Sequence, residues 1–497
     1  MTQSIDRRTV LKSSAAIAAA GPFAGLVAAP ASARKAPRAF DLVPVPDARD
    51  GKVRLHLPKG FSYRSFHDTE ATVTLNDGTT LPGRHDGMGA FEGPDGTVIL
   101  VRNHEVNNPT NPFGPGTPYD ARGGGGTTTI HCTPDGQVLN AFTSLNGTMM
   151  NCSGGIMPWG SWVTCEETVN GPDVGPDFTG ASNVSLTKPH GFVYEVPAST
   201  DAETGQSARQ PLRKAGRFAH EAVSYDPKGG HLYLTEDNFG FPSGFYRYTP
   251  PTHPRHAGKL LDGGWLHMLR VKGTFNAHLE GAQVAGTEYD VDWVEIGDPD
   301  PEFPYTPGQV APTDNNTALT YVSSQGWAEG AAFFSRLEGQ VYGKGEIFFT
   351  STQGGGAPET GNEPNAGYGN GFGQVWAYDP KREKLRCVYQ SPDKVTLDFP
   401  DNITTSHRGT LVVCEDNNED NFIRGLSPEG QLWDIALNRL VSQLPTPGSN
   451  PPVFPTRYND EFAGSTFSPS GETLFVNVQA SRGMTFAIWG PWGRIGV

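Results

Sequence analysis

Asp86, Asn151, Glu221, Glu329, Asp401 and Glu461 each open a short β-rich segment, and the six segments follow one another along the chain. Five carboxylates and an amide brought to one place would repel, and their pKa values would rise unless cations neutralised them. Oxygen donors of this kind suit hard ions such as Ca²⁺. A second set stands at the polar ends of the strands that follow: Asn103 and Glu105 beside Asp86, Cys165 and Glu166 beside Asn151, and Asp237 beside Glu221. A thiolate prefers Fe, Zn or Cu. Cys165 among oxygens therefore points to a mixed site, with a transition metal at sulfur and Ca²⁺ among the carboxylates. Taken alone, Cys165 also reads as a small buried apolar residue. His104 and His220, next to the carboxylates, suit either an orienting or a ligating role.

These residues can meet only if the elements carrying them are arranged in a ring. A glycine, a β-rich run and a polar cluster recur six times, over residues 96–105, 160–167, 230–238, 345–353, 409–417 and 471–479. Upstream strands such as 221–225 and 461–467 turn back into these runs, so each pair predicts a hairpin. Further strands follow at 191–195, 244–248, 374–378 and 431–435. The expected fold is all-β, a six-bladed β-propeller with insertions between blades, occupying 34–497 as one domain. In a propeller the innermost strands line a channel, and equivalent positions converge there. A two-sheet sandwich is the rival architecture and predicts no such convergence.

Composition agrees with a β fold. Of 497 residues, 62 are Gly and 42 Pro, while only 18% are charged, which is too many turn formers and too few helix formers for an α-rich protein. Nine Trp, 15 Tyr and 27 Phe supply a core and exclude disorder. A net charge of −15 excludes nucleic acid as a partner, since phosphate backbones need clustered Lys and Arg. Five cysteines leave at least one thiol unpaired. Cys132, Cys152, Cys387 and Cys414 allow up to two disulfides, with the pairing open. Gly123–Gly126 lacks the Lys-Ser/Thr and helix of a phosphate-cradling loop, and neither Gly-x-Ser-x-Gly nor His-Glu-x-x-His occurs.

Arg7-Arg8, the Ala-rich stretch from Ala15 to Ala29 and Ala31-Ser32-Ala33 form a twin-arginine export signal over residues 1–33, cleaved after Ala33. The stretch is too weakly apolar for a stable membrane anchor. The expected partner is the twin-arginine export machinery, and the expected location is periplasmic or extracellular.

From Asp86 to Gln479 the chain resembles the PhoX family of twin-arginine-exported bacterial alkaline phosphatases. The resemblance is carried by 102–105 (Arg-Asn-His-Glu), 151–155 (Asn-Cys-Ser-Gly-Gly), 158–167 (Pro-Trp-Gly-Ser-Trp-Val-Thr-Cys-Glu-Glu), 216–221 (Gly-Arg-Phe-Ala-His-Glu), Asp401-Asn402 and 461–464 (Glu-Phe-Ala-Gly), of which 158–167 is the most specific. It implies a channel holding Fe and Ca, with Cys165 on iron and Glu105, Glu221, Glu329, Asp401 and Glu461 as further ligands. On the same footing Asn103, Thr164 and Asn402 are the candidate catalytic residues, and the substrate is a small phosphoester hydrolysed without an organic cofactor.

Two departures stand against a dianionic monoester. The resemblance implies a phosphate-contacting arginine two residues before the fourth-blade glutamate and a lysine just ahead of Pro158; Trp327 and Ile156 or Met157 stand in those places. Apolar residues there suit a diester, a triester, an organic ester or a lactone. A calcium-dependent lactonase or esterase and a non-catalytic metal-binding propeller are the alternatives.

Overall fold

Every glycine-led run is the second strand of an antiparallel hairpin. The six inner strands are His85–Glu92, Asn151–Met157, His220–Tyr225, Leu337–Gly343, Pro400–Thr405 and Glu461–Phe467. Their outer partners are Val98–His104, Ser161–Glu166, Leu232–Glu236, Glu346–Ser351, Leu411–Glu415 and Thr473–Gln479. The computed structural model describes residues 40–359 and 367–497, so the proposed signal over 1–33 lies outside the described residues. Among the described residues no helix exceeds eight residues, and none is long and apolar enough to cross a membrane.

Third strands extend each hairpin, including Val193–Pro197, Phe245–Thr249 and Gln374–Asp379. In the fifth unit the third strand is Phe422–Leu426, and Leu432–Asn438, expected in that place, is the fourth. The third and fourth units join edge to edge through Glu288–Glu295 and Lys384–Gln390. The strand Ser62–Phe66, which precedes the first unit in the chain, completes the sixth unit by pairing with Met484–Trp489. The preceding strands Leu42–Pro46 and Val53–Pro58 add instead to the outer edge of the fifth unit, against Leu432–Asn438.

The inner strands neighbour one another in a closed circuit, each against the next and the sixth against the first. Apolar alternation along the outer strands explains the closure. Val98 and Leu100 face Phe475 and Ala487 of the sixth unit, whereas Ile99 and Val101 face Trp162 and Tyr194 of the second. Period-two alternation thus feeds two cores from one strand. Similar clusters fill the remaining junctions, from Val163 against Val223 to Val412 against Phe462. Each fully buried Leu, Ile, Val or Phe contributes about 1.5–3 kcal/mol relative to exposure. The circuit leaves the polar starts of six inner strands facing one axis.

Candidate metal centre

A register break lies near the start of each inner strand: between His85 and Met88, Asn151 and Gly154, His220 and Val223, Leu337 and Gln340, Pro400 and Ile403, and Ala463 and Thr466. Such a bulge inserts one residue out of the alternation and re-aims its side chain. The residues placed there are Asp86, Cys152, Glu221, Glu338, Asp401 and Gly464. Neighbouring strands run very close at this level. A Cβ on Gly87 would lie 2.5 Å from the Cα of Ser153, and one on Gly464, whose φ is 60°, 2.2 Å from the Asp86 carbonyl.

The residues just past the outer strands form a second tier. Glu105, Glu167, Asp237, Thr352 and Asp416 each donate their backbone N–H, over 2.9–3.1 Å, to the carbonyl two residues before the break, on Arg84, Met150, Ala219, Arg336 and Phe399 respectively. In three hairpins the residue before is a glutamate turned the other way. Glu166 accepts from the N–H groups of Met149, Gly191 and Phe192, Glu236 from the Gly244 N–H and the Tyr246 hydroxyl, and Glu415 from the Phe422 N–H and Arg424. Adjacent strand residues face opposite sides. In each Glu-Glu or Glu-Asp pair, therefore, the first acid holds a loop and the second is freed for the ring.

Three groups of ligand atoms result, each with its members within 4.8 Å of one another: Glu105, Cys152 and Glu167; Glu221, Glu338 and Asp401; and Asp401, Asp416 and Glu461. The Cys152 thiol donates to Glu167 Oε2 over 2.8 Å. Gln479 Nε2 donates to Asp86 Oδ2 over 3.1 Å and also to Glu105. Burial, reinforced by the neighbouring acids, raises Asp86 (Glu105, Asp401), Glu221 (Glu338, Glu167) and Glu338 (Asp237) well above the ordinary carboxylate range. Asp401 is pushed up to about 7 by burial and by Asp416. Burial and Glu167 hold the Cys152 thiol neutral. Two guanidiniums face this assembly: Arg336, on Asp237 (3.0 and 3.1 Å) and Glu338 (2.7 Å), and Arg84, on Glu105. So many buried acids against two cations fit bound metal ions, with a soft position at Cys152 and hard positions among the carboxylates.

Glu105, Glu221, Asp401 and Glu461 belong to these groups, and Asp86 lies against them. Glu329 does not: it caps the helix Tyr321–Ala328, exposed, and its carbonyl accepts from Arg270. Glu338 occupies the fourth-unit position instead. Cys165 points into the core between the second and third units with Val163 and Val223, where burial raises its thiol. Cys152 is the thiol at the ring, because the bulge after Asn151 turns it inward. All five cysteines are buried and unpaired, so neither of the two disulfides that the cysteine count allowed is formed.

Asn103, Thr164 and Asn402 brace the site. Asn103 Nδ2 donates to the carbonyls of Cys152 and Ser153 (both 2.8 Å), and its Oδ1 accepts from Trp162. Thr164 accepts from Asn151 Nδ2 at 3.0 Å. Asn402 donates to Asp401 Oδ1 at 3.1 Å and accepts the Gly464 N–H at 2.7 Å. His104 is held by the Gly83 carbonyl and the Thr128 hydroxyl, and His220 by the Gly216 carbonyl and stacking on Phe218. Behind the ring, buried His190 bonds Glu166 at 2.6 Å and lies 3.6 Å from Asp120. Burial alone would depress His190, but Glu166 and Asp120 raise it to about 9.

The two expected departures change meaning once the fourth-unit acid is Glu338. Arg336 stands two residues before it, whereas Trp327 packs on Phe333 in the helix insertion. Ile156 and Met157 lie at the far end of their strand from Cys152, about 15 Å away at strand rise. Neither could reach a ligand at the ring.

The sequence pattern described as alkaline phosphatase PhoX matches residues 41–132 and 125–481. The chain belongs to the PhoX family. It is therefore a phosphoric ester hydrolase by membership. Its fold is similar to that of Pseudomonas fluorescens PhoX in complex with vanadate, a transition state analogue, with a TM-score of 0.61, 17% identity, and coverage of 91% of this chain and 98% of that one. Looser likenesses are to a gluconolactonase of Xanthomonas campestris (TM-score 0.38, 12% identity, 92% and 99% covered) and to virginiamycin B lyase of Staphylococcus aureus (0.35, 13%, 86% and 99%). No curated relative matches the sequence.

Proposed function

We propose that this PhoX protein is an exported, metal-dependent phosphomonoesterase whose centre is the ring of Asp86, Cys152, Glu221, Glu338 and Asp401 with Glu105, Glu167, Asp416 and Glu461. The single observation that carries the reading is the convergence of a thiol and many buried carboxylates on one axis beside Arg336. In this account the chain is a single six-bladed propeller over 34–497, and residues 1–33 are a twin-arginine signal that delivers it to the periplasm or beyond. Iron at Cys152 and calcium among the carboxylates are the metals proposed, on the softness of the donors.

Bound cations would supply Lewis acidity toward a phosphoryl group and a hydroxide equivalent at alkaline pH. The protein's own residues do the rest. Glu105, Glu167, Glu221, Glu338 and Asp401 fix where positive charge sits, and Asn103 and Asn402 hold the bulges that aim Cys152 and Asp401. Arg336, itself oriented by Asp237 and Glu338, presents a guanidinium to the phosphoryl oxygens, where charge accumulates as the ester bond lengthens. A panel of monoester, diester, triester and lactone substrates at alkaline pH tests the reading. Fastest turnover of a monoester is expected, and turnover of lactones alone would replace it with the lactonase alternative.

A further inference from the structure

Arg84 and Arg336 occupy the same structural position in two different units. Each lies two residues before the inward-turned acid of its strand, Asp86 and Glu338. Each has a left-handed backbone, with φ of 50° and 41°. Each carbonyl accepts, at 3.0 Å, the N–H of the residue just past the outer strand, Glu105 and Thr352. Non-glycine residues pay for this conformation in steric energy, and such positions concentrate at functional sites. The equivalent residues with the same hydrogen bond, Met150, Ala219 and Phe399, carry no charge. Cations at this level therefore come from the first and fourth units, which face each other across a circuit of six strands.

Their engagement differs. Arg336 is gripped through Nε and Nη2 by Asp237 and through Nη2 also by Glu338, and its side chain is 12% exposed. Arg84 uses Nε on the Glu105 carbonyl (2.5 Å) and Nη2 on the Glu105 carboxylate, and it is 29% exposed. Its Nη1 has no protein partner among the described residues and is available to a ligand. A guanidinium fork with one arm anchored and one open suits a phosphate oxygen.

We propose that Arg84 is a second phosphate-binding residue, opposed to Arg336 across the channel, and that the pair selects doubly charged monoesters over singly charged diesters. The proposal rests on the phosphoesterase reading above. With the ring acids neutralised by cations, a terminal phosphoryl group offers three non-bridging oxygens and two charges, enough for both guanidiniums. A diester has lost one of those oxygens and one charge to its second substituent, so it brings a single charge to the two guanidiniums and gains less from the second.

The test compares wild-type, Arg84→Met and Arg84→Lys holoproteins on p-nitrophenyl phosphate and bis(p-nitrophenyl) phosphate, with inorganic phosphate as inhibitor and metal content measured for each. Arg84→Met should lower kcat/KM for the monoester by about 10–100-fold and weaken phosphate inhibition by a similar factor, as loss of a charged hydrogen bond implies. The diester should change by less than about threefold, and Arg84→Lys, which keeps the charge without the fork, should fall between. Arg382→Ala, at an exposed ion pair with Glu288, is the control and should match wild type. Unchanged monoester kinetics in Arg84→Met, an equal loss on both substrates, or loss of metal would overturn the proposal, the last two making Arg84 a structural partner of Glu105. Metal-loaded wild type that is inactive on every phosphoester would instead overturn the phosphoesterase reading beneath it.

Discussion

The Cys152 thiol donates to Glu167 across 2.8 Å, joining the bulge of one inner strand to the residue just beyond its outer partner. Both groups are buried, and Glu105 of the neighbouring hairpin completes the cluster. The contact makes one thiol of five unlike the others. Cys132, Cys165, Cys387 and Cys414 lie in apolar clusters between units.

Cys152→Ser should therefore remove the transition metal and reduce monoester turnover by about 100-fold or more, because a hydroxyl is a far poorer ligand than a thiolate. Cys165→Ala should keep the metal and lose about 1–2 kcal/mol of stability to the small cavity left behind. Metal analysis and chemical denaturation of the two variants check both outcomes. The reverse pattern would return the ligand role to Cys165.

The fourth-unit acid offers a paired comparison. Glu338→Gln should cost about 100-fold in kcat/KM by withdrawing a ligand beside Glu221 and Asp401. Glu329→Gln, on an exposed helix end, should leave activity unchanged and move stability by less than about 0.5 kcal/mol. Equal effects at the two positions would sink the assignment.

Much of the fold was legible because strand alternation and glycine punctuation are local signals, and the six hairpins stand where those signals place them. The acids fared less evenly for physical reasons. A bulge shifts the inward position by one residue without altering composition, so Asn151 read as the ring residue while Cys152 held the place. Spacing could have exposed the fourth-unit error: Glu329 precedes Gly345 by 16 residues, where Glu221 precedes Gly230 by nine and Asp401 precedes Gly409 by eight. Arg336 was hidden by the same error, since its mark is to stand two residues before the fourth-unit acid, whereas Arg84 is revealed only by the left-handed turn and hydrogen bond it shares with Arg336.

Asn103 predicts a stability effect of a different kind. Asn103→Ala would strand the Trp162 indole N–H and two carbonyls in the interior. About 2–4 kcal/mol should be lost, along with much of the activity, as the Cys152 bulge relaxes. Differential scanning calorimetry with a parallel assay measures both, and an unaltered melting temperature would show that Asn103 is not bracing the bulge.

His190 gives the protein a pH-dependent component of stability. Its folded pKa, about 9 beside Glu166 and Asp120, lies above the unfolded value of 6.5. The stabilisation is thus complete below pH 6.5 and declines as pH rises through 9, with a full size of about 3 kcal/mol. His190→Gln should flatten the fall in unfolding free energy between pH 6.5 and 9. A variant that keeps the wild-type slope there would refute the linkage.

The ring acids act with the same sign when metals are absent. Asp401, at about 7, favours a protonated folded state, so chelated protein should lose stability as pH climbs from 4 through 7. Reloading with Ca²⁺ should abolish that loss by binding only the folded ring. Matching pH profiles for chelated and loaded protein would contradict this.

Elemental analysis of the purified protein, read against monoester turnover before and after chelation, tests the central claim most directly. The account predicts a transition metal together with calcium in the active protein, and loss of both metals and activity on chelation. Full phosphatase activity in a metal-free protein would contradict it.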